Sequence, residues 1–269
     1  MAAPLQTVLL TGAAGTLGRA LAPSLAALAA RLRVSDLPGP LAGAALPAGV
    51  QRVPCELADG EAVHRLLDGV DAVVHLGGVA VEGPWAPIAQ ANILGLHHLY
   101  EAARRHGVRR IVFASSNHVT GCYPQSRRIA PTDPPRPDGN YGLSKMFGEG
   151  LASLYWDRHG IESVCLRIGT ATPTPPDRRA LASWISLRDL EQLVRQALIA
   201  PGVGFVVAYG CSANTRRWWD TDGAWARLGY VPCDDAEAYA SQVQHLELPA
   251  GPQRELQGGS FLGIGPFDD

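Results

Sequence analysis

A glycine-rich loop near the amino terminus constrains the fold of this chain more than any other feature. Gly12, Gly15 and Gly18 follow a short apolar stretch, Thr7–Thr11, and accompany the start of a helix-like segment, Thr16–Ala29. Glycines at this spacing let the backbone turn tightly and approach a pyrophosphate held at the amino-terminal end of a helix. Strand, loop and helix together therefore predict a dinucleotide-binding unit at the start of a parallel sheet.

The rest of the first two thirds of the chain alternates short apolar runs with longer helix-like segments. Strands are predicted at Thr7–Thr11, Leu32–Ser35, Gln51–Cys55, Ala72–Leu76, Ile111–Ala114 and Ser163–Ile168. Helices are predicted at Thr16–Ala29, Glu61–Leu67, Ile88–His106 and Tyr141–His159. In the last helix, Leu151, Leu154 and Tyr155 recur at helical spacing and predict a buried stripe. This alternation predicts the α/β class, with a Rossmann-type doubly wound parallel sheet and helices on both faces.

After about Gly169 the alternation loosens and prolines become frequent. A helix at Leu187–Ile199, a strand at Val203–Ala208 and a helix at Ala236–His245 are predicted there. We expect a single domain over residues 1–269, with a small substrate-binding cap drawn mainly from residues 170–269. A proline-rich loop, Tyr123–Asp138, is expected to shape a wall of the pocket.

Composition excludes several classes of function. The 269 residues are 46% hydrophobic, and the formal net charge of −2, without a long basic run, argues against a nucleic-acid partner. The five cysteines are an odd number without C-x-x-C spacing, so we expect reduced thiols in a cytoplasmic protein. We expect no export signal, because the first residues lack a basic region, and no membrane partner, because no apolar span is long enough. The histidines show no metal-ligand spacing, so we expect no metal site.

An acidic residue after the second predicted strand indicates which dinucleotide binds. Asp36 stands where a carboxylate accepts hydrogen bonds from the adenine ribose, and a 2′-phosphate would be repelled there, so NAD is favoured over NADP. Leu76–Gly78, after the fourth strand, offers backbone against which a cofactor can lie. Glu56–Leu57 is a candidate flank for the adenine, and Asn92 a candidate for fixing a neighbouring loop.

The spacing of Tyr141 and Lys145 predicts redox chemistry. A free phenol ionises near pH ~10, so an ammonium group one helical turn away is expected to favour its phenolate and make it a base. Lys145 is also expected to hold the nicotinamide ribose. Ser116, at the end of the fifth strand, is expected to hydrogen-bond the reacting hydroxyl while Tyr141 takes its proton.

Three cationic or titratable side chains are candidates for contacting the substrate. His118 is interpreted as a ligand contact rather than a second base. Arg179 lies where a substrate tail would project, and its guanidinium would bind a carboxylate in bidentate fashion. Arg178 is an equal candidate for that role, and a solvated surface pair is the alternative.

Several segments together resemble the uronate dehydrogenases, which are extended short-chain dehydrogenases/reductases. The segments are Val74–Gly78, Phe113–His118, Arg136–Lys145, Leu166–Gly169, Gly210–Asn214, Trp218–Asp220 and Gln257–Phe261. The resemblance implies NAD-dependent oxidation of D-galacturonate or D-glucuronate at C1, which gives an aldarolactone. Its Ser-Ser-Asn-His and Trp-Trp-Asp motifs are far more specific than the glycine loop, and it covers nearly the whole chain.

The same resemblance assigns roles to individual residues. It implies a catalytic set of Ser116, Tyr141 and Lys145. It implies that the cofactor is lined by Thr16, Leu17, Asp36, Leu37, Glu56, Leu57, Leu76, Gly77, Gly78, Val79, Asn92 and Ile168, in addition to the loop glycines and the catalytic pair. It implies that the sugar meets Asn117, His118, Thr170 and Arg179, as well as Ser116 and Tyr141, with Arg179 on the C6 carboxylate.

Three positions depart from the family pattern. Ala80 stands at a substrate-contact position where the family tends to have serine, Thr170 replaces another serine, and Glu56 replaces an aspartate near the adenine. Thr170 keeps a hydroxyl and Glu56 keeps a charge. Ala80 removes one hydrogen bond, worth about 0.5–1.5 kcal/mol, so we expect weaker sugar binding or a shifted preference with activity retained.

Two other functions are alternatives, and the first of them uses the same loop and tyrosine. One is a nucleotide-sugar epimerase or dehydratase that holds NAD tightly and shows no net reduction. The other is a non-catalytic NAD-binding regulator. We also expect a homo-oligomer that pairs through Ile88–His106 and Tyr141–His159.

Overall fold

The computed structural model describes residues 5–268, so residues 1–4 and 269 of the predicted domain lie outside the described part of the chain. Nine strands are found in these residues. They are β1 (Thr7–Thr11), β2 (Arg31–Ser35), β3 (Gln51–Arg52), β4 (Ala72–His75), β5 (Arg110–Ser116), β6 (Glu162–Ile168), β7 (Thr170–Ala171), β8 (Trp184–Ile185) and β9 (Phe205–Gly210). Seven of them form one parallel sheet in the order β3-β2-β1-β4-β5-β6-β9, while β7 and β8 pair separately.

Eleven α-helices accompany these strands over the same described residues. They are α1 (Thr16–Leu28), α2 (Pro38–Gly43), α3 (Gly60–Leu66), α4 (Trp85–Ile88), α5 (Gly95–His106), α6 (Asn140–His159), α7 (Ala180–Ser183), α8 (Leu187–Ile199), α9 (Asp222–Leu228), α10 (Ala240–Val243) and α11 (Pro252–Glu255). A π-helical segment, Ala89–Leu94, joins α4 to α5. Short 3₁₀ turns occupy Asn117–Thr120, Ala236–Tyr239 and Gly259–Gly263.

Apolar side chains are buried on both faces of the sheet. Along β1, Val8 and Leu10 pack into a cluster covered by α1, α8 and α9, whereas Leu9 packs into a cluster covered by α3, α5 and α6. Successive strand residues point to opposite faces, so this alternation requires helices on both sides. The predicted fold class, a Rossmann-type doubly wound sheet, is confirmed.

The carboxyl-terminal region contributes to the sheet and also builds a small cluster of its own. Strand β9 completes the sheet at one edge, and helix α8 packs against one of its faces. Helix α8 begins at Leu187 and ends at Ile199, as predicted. A separate apolar cluster joins Leu181 and Trp184 to Ala236 and Val243. The predicted strand at Val203–Ala208 is displaced to Phe205–Gly210, and the predicted helix at Ala236–His245 forms as a 3₁₀ turn followed by α10.

Three predictions within the sheet and its helices were wrong in detail. Strand β3 ends at Arg52 instead of Cys55, although the amides of Val53 and Cys55 still donate to the carbonyls of Val34 and Asp36. The predicted helix Ile88–His106 is interrupted by the π-helical segment. Leu154 does not belong to the buried stripe, since it is 50% exposed while Leu151 and Tyr155 are buried, which narrows the packed face of α6.

The strand order positions the site. Connections from β1 and β4 lead in opposite directions along the sheet, and open parallel sheets bind ligands in the crevice at such a point. The glycine loop follows β1, the Leu76–Val79 segment follows β4, and Ser116 ends β5 at the same edge. Within residues 5–268, no helix is long and apolar enough to cross a membrane.

Candidate active site

The glycine loop forms a close-packed cradle at the start of α1. Gly12 has a φ of 69°, and a Cβ atom there would lie 2.7 Å from the carbonyl carbon of Leu76. A Cβ atom on Gly18 would lie 2.2 Å from the carbonyl oxygen of Gly12. Gly15 caps α1 without a side-chain hydrogen bond, so the amides of the first turn stay available to a phosphate. These features fit the pyrophosphate of a dinucleotide.

Two adjoining cavities extend from this loop, and both are lined by Gly12 and Val79. The larger has a volume of 510 Å³ and the smaller 160 Å³. Between them they are lined by every residue predicted to bind the cofactor except Asn92. The larger cavity takes Gly12, Gly15, Thr16, Leu17, Gly18, Leu76, Val79, Tyr141, Lys145 and Ile168. The smaller takes Gly12, Asp36, Leu37, Glu56, Leu57, Gly77, Gly78 and Val79.

The smaller cavity has the chemistry of an adenosine site. The Asp36 carboxylate is held at the end of β2, because its two oxygens accept hydrogen bonds from the amides of Ala14, at 2.9 Å, and Leu37, at 2.8 Å. Leu57 supplies an apolar wall and Glu56 a second carboxylate. A fixed carboxylate suits ribose hydroxyls and disfavours a phosphate in the same place.

Asn92 acts on the loop instead of lining a cavity. Its side-chain oxygen accepts from the amide of Val79 at 2.8 Å, and its side-chain nitrogen donates to the carbonyl of Val79 and to the hydroxyl of Ser144, each at 2.9 Å. Asn92 lies in the π-helical segment, whose wider turn interrupts the helix at this point. The residue therefore ties the cofactor loop to α6.

Tyr141, Ser116 and Lys145 meet at the wall of the larger cavity. Burial raises the pKa of Tyr141 to about 12, and a hydrogen bond with Ser116 opposes that rise. Burial lowers the pKa of Lys145 to about 8. The Lys145 ammonium lies 5.5 Å from the centre of the Tyr141 ring and 5.0 Å from that of Phe113. Burial is thus the largest influence on the Tyr141 phenol, and the favouring of its phenolate by Lys145 stays a prediction.

The composition of the chain sets Lys145 apart from every other cation. It is the only lysine in the sequence, and the rest of the 23 lysine and arginine residues are arginines. A lysine can lose its proton when buried, whereas an arginine keeps its charge. Among the Lys and Arg positions of the sequence, the one that is not an arginine is therefore the buried cation beside Tyr141.

Glu82 fixes the start of α6 from a distant loop, a role that no sequence motif indicates. Gly139 precedes the helix and provides no side-chain cap. The buried Glu82 carboxylate replaces it, because its oxygens accept hydrogen bonds from the amides of Asn140 and Tyr141, both at 2.9 Å. A negative group there also suits the positive end of the helix dipole. The loop after β4 is thereby joined to the helix that carries Tyr141.

A buried network behind the site connects the catalytic strand and helix. Glu149, on α6, accepts hydrogen bonds from Ser115 at 2.6 Å and from Arg167 at 2.8 and 2.9 Å. Arg167 also donates to the hydroxyl of Tyr209 at 3.2 Å. The network fixes α6 against β5, β6 and β9, which holds Ser116 and Tyr141 in register.

The predicted sugar-binding residues divide into two groups. Ala80, Ser116, Asn117, His118 and Tyr141 line the larger cavity, together with Phe261, which was not predicted to be a site residue. Thr170 and Arg179 are not among its lining residues. Both residues lie next to this cavity. In the orientation of Asn117 that satisfies its neighbours, its side-chain nitrogen donates to the carbonyl of Ile168 and its side-chain oxygen accepts from Arg179, each at 3.0 Å. Arg179 in turn donates to the hydroxyl of Thr170.

Arg179 is held entirely by neutral acceptors. Its Nε donates to the carbonyl of Gln257 at 2.8 Å, with a second bond from Nη2, and Nη1 donates to Thr170 at 3.3 Å and Ser183 at 3.4 Å. No carboxylate of the described residues forms an ion pair with it. Burial lowers the pKa of the guanidinium, and the more distant charges of Asp177 and Asp138 oppose that effect.

The doubly wound sheet, the dinucleotide cradle and the Ser116, Tyr141 and Lys145 set define a class of NAD-binding proteins, and comparison with known sequences identifies the same class. The family model "NAD dependent epimerase/dehydratase family" matches residues 8–186. The chain therefore belongs to that family.

Three relatives narrow the assignment. The chain is 48% identical to uronate dehydrogenase of Pseudomonas syringae pv. tomato, over 99% of this chain and 96% of that one. It is 49% identical to uronate dehydrogenase of Pseudomonas putida, over 98% of each. A mutant of uronate dehydrogenase from Agrobacterium tumefaciens, solved in complex with NAD, superposes with a TM-score of 0.90 at 44% identity, covering 98% of this chain and 99% of that one. The membership of the uronate dehydrogenases that the sequence motifs predict is confirmed.

Proposed function

We propose that this protein oxidises a hexuronic acid, D-galacturonate or D-glucuronate, at C1 to the corresponding aldarolactone, with NAD as the electron acceptor. The observation that carries the proposal is one juxtaposition. Ser116, Tyr141 and Lys145 line a cavity continuous with the glycine loop, and Arg179 stands beside that cavity without a carboxylate partner in residues 5–268. The identity to uronate dehydrogenases over nearly the whole chain supports it.

Each member of the catalytic set has a distinct task. When bound, NAD supplies a positively charged acceptor for the hydride that leaves C1. Tyr141 accepts the proton of the anomeric hydroxyl, and Ser116 holds the same oxygen by a hydrogen bond. The C1–H bond breaks as the C1 carbonyl forms, so the cyclic sugar becomes a lactone without added water.

The electrostatics of the site set the condition for proton transfer. With a pKa of about 12, the Tyr141 phenol is protonated at neutral pH, so its role as a base depends on additional positive charge nearby. Lys145, with a pKa of about 8, carries most of a charge at pH 7. An oxidised nicotinamide bound in this cavity would add positive charge that favours deprotonation of Tyr141 in the same way.

The selection of an acid sugar rests on the uncompensated cation. Arg179 has its donors occupied by Gln257, Thr170 and Ser183, yet none of these carries charge. A partly buried guanidinium without a counter-ion destabilises the free protein, and a carboxylate at this end of the cavity would supply one. A neutral parent sugar would leave the charge uncompensated.

A direct assay separates this function from its rivals. Purified protein is incubated with NAD and D-galacturonate, reduced nicotinamide is followed by absorbance, and the sugar products are identified by NMR. Stoichiometric reduced NAD with an aldarolactone supports the proposal. A nucleotide-sugar substrate turned over with no net reduction would identify an epimerase or dehydratase, and NAD binding without any turnover would identify a regulator. Either of the last two results would overturn the proposal.

We also propose that the protein is a cytoplasmic homo-oligomer that pairs through α6 and the segment Ile88–His106. Large apolar side chains stand exposed on both elements, and Leu143, Phe147 and Leu154 follow one line along α6. All five cysteines are free thiols, as a reducing compartment requires. Light scattering after size exclusion should give at least twice the mass of 28.5 kDa, and Phe147→Glu should reduce it. A monomeric wild-type protein would contradict the pairing.

A further inference from the structure

A buried carboxylate behind His118 is not used by the mechanism described above. Asp138 ends the proline-rich loop, and its side chain has no exposed surface. Its Oδ2 lies 2.7 Å from Nδ1 of His118. Its Oδ1 has no hydrogen-bond partner among the described residues. A buried carboxylate oxygen without a partner destabilises a fold, so this one calls for an explanation in function.

Three glycines from separate parts of the chain enclose this carboxylate. A Cβ atom on Gly121 would lie 1.8 Å from Oδ2 of Asp138, and one on Gly258 would lie 1.9 Å from the same oxygen. A Cβ atom on Gly142 would lie 3.0 Å from Oδ1. The loop after β5, the catalytic helix and the carboxyl-terminal segment therefore approach the carboxylate through backbone alone. The enclosure depends on residues without side chains at all three positions.

His118 is fixed on its other sides as well. Its ring stacks on Phe261, with centres 3.9 Å apart, and meets the Tyr141 ring edge-on at 5.8 Å. Its backbone amide donates to the hydroxyl of Ser116 at 3.2 Å. Because Nδ1 is engaged by Asp138, Nε2 is the ring nitrogen left for a ligand in the cavity that His118 lines.

We propose that Asp138 is a positioning residue that keeps the proton of His118 on Nδ1, so that Nε2 accepts a hydrogen bond from a hydroxyl of the sugar. The proposal rests on the proposed function, which supplies a polyhydroxylated substrate. A carboxylate accepts hydrogen bonds only, so it selects the tautomer with hydrogen on the nitrogen that faces it. The other titratable groups near Asp138 are Cys122, Tyr141 and Arg179, and none of them forms a hydrogen bond with its carboxylate.

The arrangement places a fixed acceptor next to the catalytic phenol. Tyr141 takes a proton from one hydroxyl, while Nε2 of His118 binds a second hydroxyl and so limits the rotation of the ring within the cavity. An Nε2 atom without hydrogen accepts a hydrogen bond from a hydroxyl at that point and cannot donate one. Asp138 thus contributes to which sugars are oriented for reaction without touching any of them.

The first test is spectroscopic and does not depend on catalysis. Long-range ¹H–¹⁵N NMR of histidine-labelled protein, with the His118 signals assigned by their loss in His118→Asn, reports which ring nitrogen carries hydrogen. We expect the Nδ1–H tautomer in the wild type. We expect Asp138→Asn, whose amide is able to donate, to shift His118 toward the Nε2–H tautomer. An Nε2–H tautomer in the wild type, or an unchanged tautomer in Asp138→Asn, would overturn the proposal.

The second test is a double-mutant cycle in steady-state kinetics with D-galacturonate. His118→Asn preserves a donor near Asp138 and removes Nε2, so KM for the sugar should rise about tenfold, as for one lost hydrogen bond. Asp138→Asn should raise KM by a similar factor, and the double variant should be no worse than His118→Asn. Additive effects, or a fall in kcat with unchanged KM, would indicate a structural role and reject the proposal.

The two tests still decide the proposal if Asp138→Asn does not fold or if the proposed function is wrong. If Asp138→Asn does not fold, the wild-type tautomer and the KM of His118→Asn still decide the outcome. If the wild type does not oxidise uronates, the proposed function fails, whereas the tautomer of His118 still supports or rejects the role of Asp138.

Discussion

Replacement of Lys145 by methionine should stabilise the free protein while abolishing its activity. Lys145 is buried among Phe113 and Tyr141 and has no acidic partner in the described part of the chain. Its pKa falls from 10.5 to about 8 on folding. The charged form is thus disfavoured in the folded state, and methionine fills a similar volume without that charge.

The magnitude follows from the pKa difference. One pKa unit corresponds to about 1.4 kcal/mol, so burial of the ammonium at pH 7 costs about 3 kcal/mol. The variant also loses the contacts between the cation and the two rings, which reduces the gain in unfolding free energy by about 1 kcal/mol. Lys145→Met should therefore raise the free energy of unfolding by about 2 kcal/mol at pH 7.

The pH dependence gives the sign of the effect. A cation whose pKa is lowered on folding leaves the unfolded chain holding more protons between pH 8 and 10.5, so wild-type stability rises with pH across that window. The methionine variant lacks this rise. The stability difference between the two proteins should therefore be fully present below about pH 8 and shrink toward pH 10.

The assays are chemical denaturation and direct titration. Denaturation of both proteins at pH 7 and pH 10 measures the stability difference. Since Lys145 is the only lysine, ¹³C-lysine labelling gives a single side-chain signal, whose midpoint should lie near pH 8. A midpoint near 10.5, or a variant less stable than wild type at pH 7, would refute the reasoning.

Three further substitutions test other parts of the site. Tyr141→Phe should lower kcat/KM by at least about 10²-fold in steady-state assays and leave NAD affinity in fluorescence titration unchanged, since it removes the base and little binding surface; weaker NAD binding would contradict this. Glu82→Ala should cost about 0.5–2 kcal/mol of stability in denaturation, because it removes the cap of α6, and Glu82→Gln should cost less; equal losses would argue against capping. Ala80→Ser should lower KM for uronates by about two- to tenfold by restoring one hydrogen bond; an unchanged KM would remove Ala80 from the sugar site.

The fold and the family were predictable because their signals are local. The glycine loop, the strand before it and the helix after it lie within a few residues of each other, and the alternation of apolar segments specifies the doubly wound sheet. The predicted cofactor set is likewise brought together at one edge, because parallel strands end there. The roles assigned to individual residues stay predictions that the substitutions above address.

What the sequence missed depends on contacts between distant segments. Glu82 caps a helix that begins 58 residues later, and Gln257 holds Arg179 from 78 residues away. Asp138 lies in an irregular loop whose enclosure by three glycines is visible only after folding. The burial that raises the pKa of Tyr141 was missed for the same reason, since helical spacing gives its distance to Lys145 but not the packing around the phenol.

The most direct test of the central claim compares acid sugars with their neutral parents. Initial rates with NAD give kcat/KM for D-galacturonate, D-glucuronate, D-galactose and D-glucose, in the wild type and in Arg179→Ala. The account predicts that the wild type prefers each uronate over its neutral parent by at least about tenfold, in line with a charge-assisted bidentate contact, and that Arg179→Ala loses most of this preference through KM. Equal use of neutral and acid sugars by the wild type, or a preference unchanged in Arg179→Ala, would contradict it.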